Sequence, residues 1–183
     1  MKDVNFKQSE DTLFLEEEHI ILKDQIKKFV ETEVKPEGPK WEADGFIPRE
    51  VFKKMGALGF LGITYPAEFG GSEMDVRGSV IFAEELGKST FSGFAIASLV
   101  HTDMASVHLL NAGNKEQKEM YLSDIVAGNK ISCVAVTEPH AGSDVKNIKT
   151  KAQKVGNKYQ AKSILLRKYL LLVGNLFEKF FSK

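Results

Sequence analysis

The sequence predicts a mainly α fold: an N-terminal helical bundle followed by an incomplete β-domain fragment. Three observations carry this. Apolar residues recur at three-to-four-residue spacing in successive segments between Leu15 and Val126. Helix-stopping residues punctuate those segments at Pro36, Gly59, Gly87 and Gly128. At Ile131 the pattern changes to a short run rich in β-branched residues, Ile131-Ser132-Cys133-Val134-Ala135-Val136, which reads as a mostly buried strand.

The first helix is expected over Thr12–Val34. Leu15, Leu22, Ile26, Phe29 and Val30 fall on one face, Glu16, Glu17 and Glu18 sit early and Lys27 and Lys28 late, in keeping with the helix dipole. Pro36 is expected to close it, leaving Trp41 in a loop where an aromatic packs a satellite cluster. A second helix begins after Pro48 with Val51, Phe52, Met55 and Leu58 inward and ends near Gly59. Tyr65-Pro66 through Gly70-Gly71 is turn chemistry; the double glycine lacks the Lys-Ser or Lys-Thr pair of a phosphate loop, so it links helices. Val76–Leu86 is a third helix, closed by Gly87. Phe91–Ala112 is a fourth, apolar on nearly every side around Phe94-Ala95-Ile96-Ala97-Ser98-Leu99-Val100, as expected of the central helix of a bundle. His101 and Asp103 inside it argue against a membrane span. Asn114 with Gln117 forms a capping box for a fifth helix through Val126, stopped at Gly128. A second strand is expected over Ile148–Val155, turning at Gly156-Asn157. These elements divide the chain into a helical domain over residues 1–129, the start of a β domain over 130–160, and a tail over 161–183.

Composition excludes several function classes. Lysine plus arginine and aspartate plus glutamate both number 25, so no global field draws in nucleic acid. The N-terminal residues Met1 to Lys7 carry charge with no apolar core behind it, unlike a secretory signal. A single cysteine, Cys133, fits a reducing compartment, and the cytoplasm is expected; on its strand the thiol reads as a small core residue. His101 and His108 are spaced to share a helical face, but no third ligand completes a zinc set, and no metal site is expected.

Thr137-Glu138-Pro139-His140-Ala141-Gly142-Ser143-Asp144 carries the chemistry. Two hydroxyls, Thr137 and Ser143, flank a proline-stiffened turn, and Gly142 lets a backbone approach a ligand closely. The residues alone leave two readings open, a loop that contacts a small ligand or phosphate and an ordinary surface turn.

The run Ala135 to Val145 closely resembles the flavin-binding signature of the acyl-CoA dehydrogenases, with His140 where that family usually has a small residue. Further motifs stand in the family's order: Val34-Lys35-Pro36, Phe52 to Gly62, Tyr65-Pro66-Ala67-Glu68-Phe69-Gly70-Gly71, Glu84-Glu85-Leu86-Gly87 and Gly113 to Lys118. The resemblance covers residues 12 to 160 and implies the N-terminal helical domain of that family and the start of its middle β domain.

It also implies a function. The family uses FAD to form an α,β double bond in an acyl-CoA thioester during fatty-acid oxidation, and an electron-transfer flavoprotein or similar acceptor then reoxidises the flavin. By this mapping Val134, Ala135, Val136 and Thr137 run along the isoalloxazine edge, and Gly142 and Ser143 sit where FAD meets the CoA portion of the substrate. Leu99, Val100 and Met104 are mapped to the acyl pocket, although such residues at helical spacing are more often plain core. The family's catalytic glutamate belongs to a C-terminal domain, so no residue here inherits it; Glu138 is expected to stabilise its turn. The family's homotetramer is not carried over to this chain. The resemblance stops at the tail, where a Lys-x-x-Ile-Thr-Asn-Gly type motif is replaced. A frameshift or truncation is the preferred explanation; the rival is an amphipathic element with Leu165, Tyr169, Leu172, Leu176 and Phe180 on one face. The alternative function is accordingly a non-catalytic remnant or interaction module.

Overall fold

The computed structural model describes residues 14–156 and, for the backbone, 158–162. Readings of the tail beyond these, both frameshift and amphipathic, lie outside the described residues. The chain divides into two compact units, Met1–Val134 and Ala135–Lys183.

The first unit is helical. Helix α1 spans Glu17–Phe29 and α2 spans Lys35–Asp44, joined without a break by a wide turn over Val30–Val34. Pro36 therefore does not close the first helix. The wide turn shifts the ladder so that the N–H of Lys35 reaches the carbonyl of Val30, five residues back. Pro36 then falls in the first turn of α2, where a missing N–H costs nothing. Trp41 lies on α2 rather than in a loop, buried, with its ring centroid 5.7 Å from that of Phe94 in the main core.

Helix α3, Arg49–Ala57, buries Val51, Phe52 and Met55 as the spacing predicts, while Leu58 is half-exposed at its end. After the Ala67–Phe69 turn, α4 spans Val76–Gly87, with the Asp75 carboxylate accepting from the backbone N–H of Arg77 at 2.8 Å. The Arg77 guanidinium holds that carboxyl down to about 2. Helix α4 packs on α1, and Ile81, Phe82 and Leu86 join Leu22, Ile26 and Phe29 in the core; Phe60 meets Phe29 edge-on at 5.7 Å.

The segment read as one central helix is α5, Ser92–Leu99, and α6, Ser106–Ala112, joined by a second wide turn over Val100–Ala105. It is not surrounded by its own unit: Ile96 is 56% exposed and Met104 47%. By length and composition Ser92–Ala112 could cross a membrane, yet it buries Phe94 and His101 among the helices. Helix α7, Lys115–Val126, starts at the expected capping box, Asn114 accepting from the N–H of Gln117 at 2.8 Å and Gln117 accepting from that of Asn114 at 3.0 Å. Its end meets α3 through two close approaches. A Cβ on Gly56 would stand 2.3 Å from the Ala127 carbonyl oxygen, and one on Gly128, at φ +72°, 2.2 Å from that of Phe52.

The expected strand Ile131–Val136 does not form. Among the described residues no ladder pairs with it, Cys133 is exposed rather than core, and the buried reading fails because a strand needs a neighbour to satisfy its backbone. In the second unit the expected strand is shorter than Ile148–Val155. Strand β1, Lys151–Val155, pairs antiparallel with β2, Lys158–Lys162, from Lys151 opposite Lys162 to Val155 opposite Lys158, turning at Gly156 (φ +62°).

Candidate functional site

Within the second unit one carboxylate organises the signature loop. The backbones of Glu138 and Ala141 exchange two hydrogen bonds, at 2.9 and 3.1 Å, around Pro139-His140. The Glu138 side chain is buried and reaches along the chain to accept from the N–H groups of Lys149 and Thr150, both at 2.8 Å, and from the Thr150 hydroxyl. These bonds close a loop from Glu138 to Thr150. The Thr150 hydroxyl, then the Lys149 N–H, hold the Glu138 carboxyl below its usual range. His140, the departure from the family pattern, places Nε2 3.2 Å from the same carboxylate. Glu138 is thus a turn-stabilising residue of longer reach than local sequence suggests.

The closed loop leaves the other residues outward. Thr137, Gly142 and Ser143 are exposed, and neither hydroxyl is engaged by another described residue. A Cβ at Gly142 would meet nothing within 4 Å, so there is open space beside that backbone. Val136 is 45% exposed and Ala135 exposed. Two unengaged hydroxyls and an unobstructed glycine backbone are groups that can hydrogen-bond to, or closely approach, a polar ligand.

In the first unit, Val134 is half-buried at the exit of the helices. Leu99 packs partly on the core, Val100 is half-buried and Met104, one helical turn beyond it, is exposed, so the plain-core reading fails for Met104. A hollow in this unit, lined by Phe60, Tyr65, Phe82, Thr102 and Asp103 among others, has a volume of only about 10 Å³, room for no more than a water molecule.

Local sequence reading missed a buried polar network around the wide turn. A turn of this kind leaves carbonyls off the normal ladder. The Tyr65 hydroxyl donates to the Thr102 carbonyl at 2.8 Å, and the Ser106 hydroxyl donates to that of His101. The Ser132 hydroxyl donates to the same His101 carbonyl at 3.0 Å. Burial pushes the Tyr65 phenol up and the His101 imidazole down from their ordinary values. The spacing of His101 and His108 gave no sign of this, because the wide turn between them shifts the helical register: His101 is buried and His108 exposed. Among the described residues one cluster, Glu16, Glu18 and His19, has metal-ligand spacing. His19 is already committed there, with Nδ1 accepting from the Glu16 N–H at 3.2 Å and Nε2 3.3 Å from Asp75.

Comparison with known proteins agrees with the architecture. The family model "Acyl-CoA dehydrogenase, N-terminal domain" matches residues 16–129. The mouse long-chain specific acyl-CoA dehydrogenase, a mitochondrial protein, is 35% identical over 140 residues, covering 76% of this chain and 32% of that protein. The acyl-CoA dehydrogenase structure from Geobacillus kaustophilus superposes with a TM-score of 0.76 at 37% identity, covering 82% of this chain and 39% of that one. The FAD complex of the Bacillus anthracis acyl-CoA dehydrogenase superposes with a TM-score of 0.76 at 32% identity, covering 82% of this chain and 26% of that one. The chain therefore spans about a third of the length of the curated relatives it matches. With the helical order, the capping box and the signature loop all in place, the chain belongs to the acyl-CoA dehydrogenase family.

Proposed function

We propose that this chain provides the N-terminal domain and the first flavin-contacting segment of an FAD-dependent enzyme that forms an α,β double bond in an acyl-CoA thioester. The observation that carries the reading is the Glu138–Thr150 closure, which presents Thr137, Gly142 and Ser143 outward on a fixed loop. Bound FAD supplies the acceptor for the β-hydrogen, which leaves as hydride. The residues of this chain would bind and orient: Val134, Ala135, Val136 and Thr137 would hold the flavin, Gly142 and Ser143 would serve both FAD and the CoA portion of the substrate, and Leu99, Val100 and Met104 would hold the acyl chain. An electron-transfer flavoprotein or similar protein is the partner that removes the electrons. The single cysteine supports a reducing compartment, the cytoplasm.

The test is FAD titration of the 183-residue chain, followed by flavin fluorescence. FAD binds, an acyl-CoA shifts the bound spectrum, and no bleaching follows, because no carboxylate of this chain is assigned to α-proton removal. Thr137→Ala weakens FAD by about tenfold, the value of one hydrogen bond in a desolvated site. A chain that binds neither FAD nor acyl-CoA sinks the reading and leaves a non-catalytic interaction module; steady-state dehydrogenation by the pure chain overturns the assignment of roles.

A further inference from the structure

The segment from Ile131 to Thr137 makes no backbone–backbone hydrogen bond among the described residues: the ladder ends at Lys130, whose N–H reaches Asp124, and resumes at Glu138. Something else must fix its course. His101, fully buried in the wide turn between α5 and α6, faces it. Its Nε2 is 3.1 Å from the carbonyl oxygen of Ile125 near the end of α7. A carbonyl only accepts, so Nε2 carries the proton. Its Nδ1 is 3.0 Å from the backbone nitrogen of Ser132. An amide N–H only donates, so Nδ1 is bare. The Ser132 hydroxyl, also 3.0 Å from Nδ1, spends its proton on the His101 carbonyl. Phe52 of α3 packs against the imidazole, edge to face, at 5.8 Å.

We propose that His101 is a positioning residue whose neutral, Nε2-protonated ring ties Ser132, two residues before the flavin-contacting segment, to α7 and so fixes the course of the chain at the end of the helical unit. This rests on the function proposed above for Val134 to Thr137, but the tie itself does not. Few side chains can replace the ring, because the job needs a donor and an acceptor on opposite edges of one rigid plane. A purely space-filling histidine would need only its volume and one satisfied nitrogen.

The two arms can be cut separately in the full chain. In His101→Asn the side-chain amide stands near the place of Nδ1 and can still accept from Ser132; in His101→Gln it stands near that of Nε2 and can still donate to Ile125. The Ser132 amide is expected to stay protected from hydrogen exchange in H101N and to exchange about tenfold faster in H101Q, the loss of one hydrogen bond. FAD affinity follows the same order, near wild type in H101N and about tenfold weaker in H101Q. Nitrogen-15 shifts of the wild-type ring at neutral pH check the tautomer with no substitution at all. A ring protonated on Nδ1, or equal Ser132 exchange in the two variants, overturns the tie. Exchange that follows the pattern while FAD affinity does not overturns its link to the site. A wild-type chain that binds no FAD strikes the proposed function alone, and Ser132 exchange still judges the tie.

Discussion

Glu138 decides whether the signature loop is a turn or a site. A turn needs only Pro139 and the two backbone bonds to Ala141. The buried carboxylate adds donors from Lys149 and Thr150, eleven and twelve residues away, and with them a fixed frame for Gly142 and Ser143. Glu138→Gln keeps the size but turns an NH₂ group toward backbone N–H donors, so one arm is lost and faces repulsion. The Lys149 and Thr150 amides are expected to exchange about tenfold faster in this variant, with the helical unit's melting unchanged. The pH dependence follows from the same bonds. The Thr150 hydroxyl, then the Lys149 N–H, lower the carboxyl's pKa below 4.5 in the folded loop. A lowered carboxylate contributes stability that is fully present above its unfolded pKa and lost as pH falls through the folded value. In a His140→Gln background, which removes the imidazole 3.2 Å from that carboxylate, the Thr150 amide resonance should therefore hold steady down to pH 4.5 and move only below it; movement already near neutrality in that background would mean that the carboxylate does not hold the loop.

Helices whose ends are written locally were legible, and elements that depend on distant partners were not. Asn114 and Gln117 specify their capping box within four residues of sequence, and α7 starts where they place it. Pro36 misled because the wide turn before it moves the ladder by one residue, which no local preference for helix or proline encodes. The run Ile131–Val136 has strand composition, but its fate rests on neighbours, and the described residues bond it through His101 and Ser132 instead. The same division holds at the site: Thr137, Gly142 and Ser143 stand out by residue type, whereas the reach of Glu138 and the orientation of His101 are tertiary facts. The junction of α3 and α7 supplies a direct test. Gly128 sits at φ +72° with Phe52 backbone 2.2 Å from any added Cβ, so Gly128→Ala incurs both strain and collision. We expect a loss of about 1–3 kcal/mol in chemical denaturation. Because Ile125 and Phe52 both touch His101, the Ser132 amide should lose protection as well.

At the scale of the whole molecule, the α5–α6 stretch buries polar side chains beside Phe94 while exposing some of its apolar ones. Ser98, His101, Thr102 and Ser106 are buried, while Ile96 and Met104 face outward. Buried hydroxyls are costly unless paired, and here backbone carbonyls of α5 and of the wide turn supply the pairing: Ser98 donates to the Phe94 carbonyl at 3.0 Å, Thr102 to that of Ser98 at 3.2 Å, and Ser106 to that of His101. The inner face is therefore satisfied internally, and the outer apolar face does nothing for the stability of its own unit. Two substitutions one turn apart or less should then behave in opposite ways. Phe94→Ala empties a core position beside Trp41 and is expected to cost about 3–5 kcal/mol. Ile96→Ser is expected to change stability by no more than about 0.5 kcal/mol, yet to reduce binding of an apolar dye and light scattering at high protein concentration, because it interrupts the exposed apolar stripe that runs on to Met104. If Ile96→Ser instead destabilised the chain as much as Phe94→Ala, that face would have to be packed within the helical unit, and the exposed stripe would be wrong.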